Sequence, residues 1–186
     1  MMVKIYEPVM IPEMRADMKK LFAVGIGGGI KNANIEVHDV QFVIADSIED
    51  TYEILKKNWY GDNMHMDEYA VIEGADGHRL VVEDHPGNYE QELYFIYMGG
   101  YAKEKFGELH QLGLFAAADE AQAREKGKNE LLKDADESHI DRVRKLNDCM
   151  KSADGTRYYI HLIPDGKEYG LKPDWSGCLR LIENSR

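Results

Sequence analysis

Two stretches of the chain are apolar throughout and run into glycine: Leu21 to Ile26, followed by Gly27-Gly28-Gly29, and Leu93 to Met98, followed by Gly99-Gly100. Continuous apolar runs of this length read as buried strands, and the glycines read as a hairpin loop that needs positive φ. A segment with a two-residue period follows each run. In Ile35 to Ala45 the residues Glu36, His38, Val40, Phe42 and Ile44 share one face, and Glu108, His110, Leu112, Leu114 and Ala116 do the same later in the chain. Each Glu-x-His pair thus stands at one end of a core-facing row. Ser47-Ile48-Glu49-Asp50 then opens a predicted helix of about four turns through Asn58, with Ile48, Tyr52 and Leu55 on one stripe. Its counterpart is the Ala-, Glu- and Lys-rich segment from Asp119 to Lys133. Asp67 to Glu73 and His78 to Glu83 are predicted strands joined through Ala75-Asp76-Gly77, which carries the Asp-Gly hairpin signal. The later equivalents are Ile140 to Leu146 and Arg157 to Ile163. There the spacing of Ile140, Val143 and Leu146 also fits a helix, and the strand reading rests on the clearer first copy.

The order of these signals is the same twice over. Leu21 on Leu93 aligns Gly27 and Gly28 with Gly99 and Gly100, Lys31 with Lys103, Glu36 with Glu108 and His38 with His110, without a gap. Further on, His65 and Asp67 match His139 and Asp141, and Ala75-Asp76-Gly77 matches Ala153-Asp154-Gly155. We read a tandem duplication of a β-β-α-β-β unit. The expected fold class is α+β, with antiparallel sheets and helices packed on one face. The expected organisation is an N-terminal extension over residues 1–17, a first repeat over 18–84, a linker over 85–92, a second repeat over 93–165 and a C-terminal tail over 166–186. The extension is broken by Pro8 and Pro12, lacks the features of an export signal, and should be dispensable for folding. Trp175 and the Leu179 to Ile182 stretch make the tail an added strand or arm.

Composition narrows the function classes. With 44% hydrophobic and 31% charged residues, the 186-residue chain is a folded one rather than disordered. The 34 acidic residues outnumber 23 basic ones, for a net charge of −11, which disfavours nucleic acid and anionic membrane as partners. No apolar run reaches the length of a membrane span. Two cysteines, Cys149 and Cys178, cannot form a disulfide framework, so a reducing cytoplasm is the expected location.

The segments LFAVGIGG, IEVHDVQFV with IEDTY after it, LYFIYMGGY and GELHQLGLF resemble the bacterial family called domain of unknown function 1543. Members carry one or two copies of the domain. The resemblance covers nearly all of residues 18 to 163 and implies two tandem copies here, but it implies no reaction.

The chemistry is therefore weighed from the residues. Glu36 with His38, and Glu108 with His110, leave one face of a strand, where a carboxylate beside an imidazole can hold a divalent metal or act as an acid and base pair. Beside them Gly27, Gly28, Gly99 and Gly100 remove bulk that would otherwise cover the imidazoles. The same pairs can equally close a strand end through backbone hydrogen bonds, and that structural reading is preferred. His65 with Asp67, and His139 with Asp141, share the same-face geometry. Added to the first pairs they give two carboxylates and two imidazoles per half, a ligand set suited to zinc, manganese or iron. The sequence does not show whether the pairs converge, and for His65 and His139 the reading as exposed polar groups is preferred. A phosphate cradle at the glycines is disfavoured, because the segment leads through Asn32 and Asn34 into a strand rather than a helix. No Gly-x-Ser-x-Gly elbow or Cys-x-x-Cys pair occurs. The expectation is a cytoplasmic bacterial binding or assembly module, with strand edges able to pair two copies into a homodimer and with no cofactor or small-molecule ligand specified. The alternative is a small metal-assisted or acid/base hydrolase or lyase that uses the Glu-x-His pairs.

Overall fold

A computed structural model describes residues 19–87, 89–147, 150–152 and 155–182. The expected N-terminal extension and Cys149 lie outside the described residues. In chain order the elements are β1 (Lys20–Gly28), β2 (Val37–Ala45), a 3-10 turn (Glu49–Thr51), α1 (Tyr52–Asn58), β3 (Met64–Val71), β4 (Gly74–Ala75), β5 (His78–Glu83), β6 (Glu92–Tyr101), β7 (Leu109–Ala117), α2 (Glu120–Glu130), β8 (Glu137–Lys145), β9 (Met150–Lys151), β10 (Arg157–Pro164) and β11 (Trp175–Ile182). They form three sheets, in the orders β11-β3-β1-β2, β7-β6-β8 and β4-β5-β10-β9, and every pairing is antiparallel.

The α+β class with helices packed on one face is overturned, because the protein is mostly strand in three antiparallel sheets. The reason is local. Ser47 and Asp50 bond each other as expected of a cap, with the Ser47 hydroxyl donating to Asp50 at 2.7 Å, but they close a 3-10 turn rather than a long helix. The buried Thr51 hydroxyl donates to the Ile48 carbonyl, and α1 then runs only seven residues before Trp59 turns extended. The Trp59 indole donates to the Asn63 carbonyl and directs the chain back into β3. Among the described residues only α2, capped by Asp119, lies along a sheet as a helix of several turns; its Gly127 abuts Ile96 of β6.

The glycine runs are a second correction. They are strand rather than loop, since Gly27 and Gly28 belong to β1 and Gly99 and Gly100 to β6. Positive φ occurs instead at Asn32 and Glu104, in the connections that follow. The Asp76-Gly77 turn does carry positive φ at both residues, as a two-residue hairpin requires.

The two three-strand ladders have the same register. Leu21 pairs with Ile44 and Gly27 with His38; Leu93 pairs with Ala116 and Gly99 with His110. Along β3 and β8 the pairing slips at one place in each, between Gly25 and Ile26 and between Tyr97 and Met98. The slips leave Asp67 and Asp141 as the extra residues of two β-bulges.

One face of each ladder points into a shared core. Leu21, Ala23, Phe42 and Ile44 of the first meet Leu93, Phe95 and Ala116 of the second, and the rings of Phe42 and Phe95 cross edge to face at 5.0 Å. Below them β5 pairs with β10, Val82 opposite Ile160, joining the halves in one ribbon. The outer faces bury Val24, Ile26, Leu55 and Met66 in the first half and Ile96, Met98, Ala123 and Leu131 in the second. The tail strand β11 covers the outer edge of β3, with Trp175 stacked on Tyr69.

Candidate metal centres

Moving along the inner face from the Leu21 end of β1, the facing positions pass from Leu21 and Ala23 to Gly25 and Gly27, and the environment changes from apolar to polar. Around Gly27 two neighbouring strands deliver polar groups: Glu36 just before β2 and His38 within it, and His65 and Asp67 from β3. His65 Nε2 lies 3.2 Å from Asp67 Oδ1 and 3.6 Å from Glu36 Oε2, and His38 Nε2 lies 3.7 Å from Asp67 Oδ2. Around Gly99 the second half repeats the set. His139 Nε2 is 3.1 Å from Glu108 Oε1 and 3.0 Å from Asp141 Oδ1, and His110 Nε2 is 3.4 Å from Glu108 Oε2.

The structure thus brings together each Glu-x-His pair with its His-x-Asp pair. Gly27 and Gly99 are the floor. A Cβ on Gly27 would stand 2.7 Å from the His38 ring, 2.8 Å from His65 Nε2 and 2.9 Å from Asp67 Oδ2. One on Gly99 would stand 2.5 Å from Glu108 Oε1, 2.7 Å from Asp141 Oδ2 and 2.9 Å from His139 Nε2. Gly28 and Gly100 are not part of the floor. Their missing side chains face the other way, against the backbone carbonyls of Asn63 and Glu137.

The spacing suits a cation. Bonds of about 2.0–2.1 Å meeting at the tetrahedral angle put neighbouring donor atoms roughly 3.3 Å apart, and the contacts above run from 3.0 to 3.7 Å. Donor atoms of Glu36, His38 and His65 all lie within 4.8 Å of one another, as do those of Glu108, His139 and Asp141. Each imidazole points Nε2 at the carboxylates. A third such group, Glu83, Asp84 and His85, sits at the end of β5 and has no counterpart in the other half of the chain.

Two tyrosines flank the second centre. Tyr97 stacks on His110 at 5.1 Å and Tyr101 on His139 at 6.0 Å. Burial, then the charges of Asp141 and Glu108, push the Tyr97 phenol above its usual value; a hydrogen bond to Glu108 does the same for Tyr101. Their counterparts in the first half are Gly25 and Gly29. This difference is readable by comparing the two halves position by position, Gly25 against Tyr97 and Gly29 against Tyr101. Cys178 is exposed on β11.

Residues 33–82 match the model of the family named Domain of Unknown Function (DUF1543), a span that contains Glu36, His38, His65 and Asp67. The fold is similar to the crystal structure of a protein Il1583 from Idiomarina loihiensis. The TM-score is 0.68 at 28% identity, over 89% of this chain and 99% of that one. No curated protein matches the chain in sequence. Among the described residues no helix is long and apolar enough to cross a membrane.

Proposed function

We propose that the chain is a metal-binding module made of two tandem copies of the DUF1543 domain, each copy holding one divalent transition-metal ion. The observation that carries this reading is the convergence of the same four ligand types over a side-chain-free position in both halves. Donor atoms of Glu36, His38 and His65 gather near Gly27 with Asp67 beside them, and those of Glu108, His139 and Asp141 gather near Gly99 with His110 beside Glu108. A purely structural polar pair is at odds with their surroundings: His38 and His110 are exposed, and none of these imidazoles is committed to a backbone carbonyl. Mixed imidazole and carboxylate donors favour zinc, manganese or iron over calcium, which prefers oxygen alone. The identical ladder registers support the tandem copies, and the unpaired Cys178 suits a reducing cytoplasm.

Metal analysis of the untagged protein, stripped with chelator and reloaded with zinc or manganese, tests the proposal. Two ions per chain are expected, falling to one in His139→Ala and to none in His65→Ala combined with His139→Ala. Retention of no ion by the folded wild type at micromolar metal overturns it. The hydrolase or lyase reading requires in addition that a ligand reach a centre, and a cleft beside the first one meets that requirement.

A further inference from the structure

The two centres are built from like residues but are not equally open. Gly25 of β1 occupies the position that Tyr97 holds in β6, and Gly29 the position of Tyr101. In the second half the two phenol rings lie over His110 and His139. In the first half no ring takes their place, and the His38 side chain keeps 62% of its accessible surface against 41% for His110. His65 goes the other way, being more buried than His139 because β11 covers β3 while no strand among the described residues lies outside β8. The first centre is therefore anchored on its edge side and open on its inner side.

What it opens into is a cleft of about 540 Å³ between the two ladders. His38 and Asp67 line one wall. Tyr97, Arg142 and Arg144 from the other half line the opposite wall, and Phe42 is part of the apolar floor. Neither guanidinium has an ion-pair partner within 4 Å among the described residues. In the first half the equivalent positions are Glu68 and Ala70, so this pair of cations exists only once.

We infer that the first centre, and not the second, takes an exogenous small organic anion, a carboxylate or phosphate that ligates the metal from the cleft and pairs with Arg142 and Arg144. The inference rests on the metal reading above. Any further ligand to a divalent ion is an electron-pair donor, and an oxyanion can bridge a metal and a guanidinium at once. Asp39 and Glu68 also line the cleft and offset the two arginines when no metal is present. Asp39 is already engaged by the Val40 N–H and the Gln41 amide, and Glu68 lies over Gly25. Anion binding should consequently depend on the metal. The apolar floor favours an anion with an organic body over the bare ion.

Phenyl phosphate on the manganese-loaded protein is the test, read as paramagnetic broadening of the phosphorus resonance. Broadening that titrates as one site per chain is expected, weaker with inorganic phosphate and absent without manganese. Arg142→Ala with Arg144→Ala should keep both manganese ions and weaken phenyl phosphate at least tenfold, since both side chains are exposed and their removal spares the core. His139→Ala should lose the second ion and leave the broadening intact. Two bound ions without broadening, no effect of the arginine substitutions, or loss of broadening in His139→Ala would each overturn the inference while leaving the metal reading in place. A folded protein that retains no manganese removes the metal reading itself, and the anion site with it.

Discussion

Substituting Gly27 by Ala separates metal binding from folding, because the atoms nearest the added one belong to the ligand side chains. A Cβ there stands 2.7–2.9 Å from His38, His65 and Asp67, all side chains, and the backbone does not have the positive φ that would strain an alanine. Removing the freedom of a glycine stabilises a compatible site by about 0.4–1 kcal/mol, which offsets the cost of displacing His38 and Asp67 toward solvent. In chelator the melting temperature should stay within about 3 °C of wild type. Metal affinity should fall at least tenfold, the scale seen when ligand orientation is disturbed. With metal at about 100 times Kd one site adds roughly 2.7 kcal/mol, and a tenfold loss leaves about 1.4. For a chain of this size the metal-induced rise in Tm should then shrink by about 3–5 °C. Gly28→Ala is the control. Its Cβ would fall 2.2 Å from the Asn63 carbonyl oxygen, a backbone atom, so it should lower Tm with and without metal alike. Wild-type zinc affinity in Gly27→Ala, measured by competition with a chromophoric chelator, would refute the placement of the ion over Gly27. So would a collapse of its Tm in chelator.

Two further outcomes follow from other parts of the fold. His161 is buried, with Nε2 donating to the His85 carbonyl at 3.0 Å and Nδ1 near the Tyr89 hydroxyl, and burial holds its pKa below the usual value. The unfolded chain therefore binds the proton first. This contribution to stability is complete above about pH 6.5 and is lost as the pH falls toward the folded pKa; thermal melts between pH 7.5 and 5 should show a shallower decline in His161→Gln, and equal slopes would count against it. Trp175→Ala should cost about 2 kcal/mol by removing the stack on Tyr69 that seats β11, seen as a Tm lower by about 4–8 °C; no change would mean that β11 contributes little to the first sheet.

The strands that start at Leu21 and Leu93, and those that hold His38 and His110, were legible in the sequence because a continuous apolar run and a two-residue alternation mark strand and face. What decided the site was not legible. Without the slip beside Gly25, Gly27 would face Met66, and His65 would turn to the outer face where Leu55 and Met66 pack. The bulges at Asp67 and Asp141 re-aim both His-x-Asp pairs, and no residue type announces a bulge in advance. The helix expectation failed differently. The stripe of Ile48, Tyr52 and Leu55 is real, but it spans a 3-10 turn and a short helix, and periodicity does not report length when the next strand takes over at Met64. The His-x-Asp residues belong to the same two clusters as the Glu-x-His pairs, a convergence of separate strands that residue spacing does not reveal.

The ribbon formed by β5 and β10 has a consequence for how concentration enters the folding of such chains. Within it Val82 lies opposite Ile160, and the strands run antiparallel about that point, as two equivalent strands do across a dyad. On the two-copy reading proposed above, a chain carrying one copy would leave that edge unpaired, and a second molecule filling it would make stability vary with concentration by mass action. Here the segment around residues 85–92 makes the same encounter unimolecular, at the high effective concentration of a short tether. On that reading the folded state of this chain should survive dilution that would separate two single-copy chains paired along the same edge.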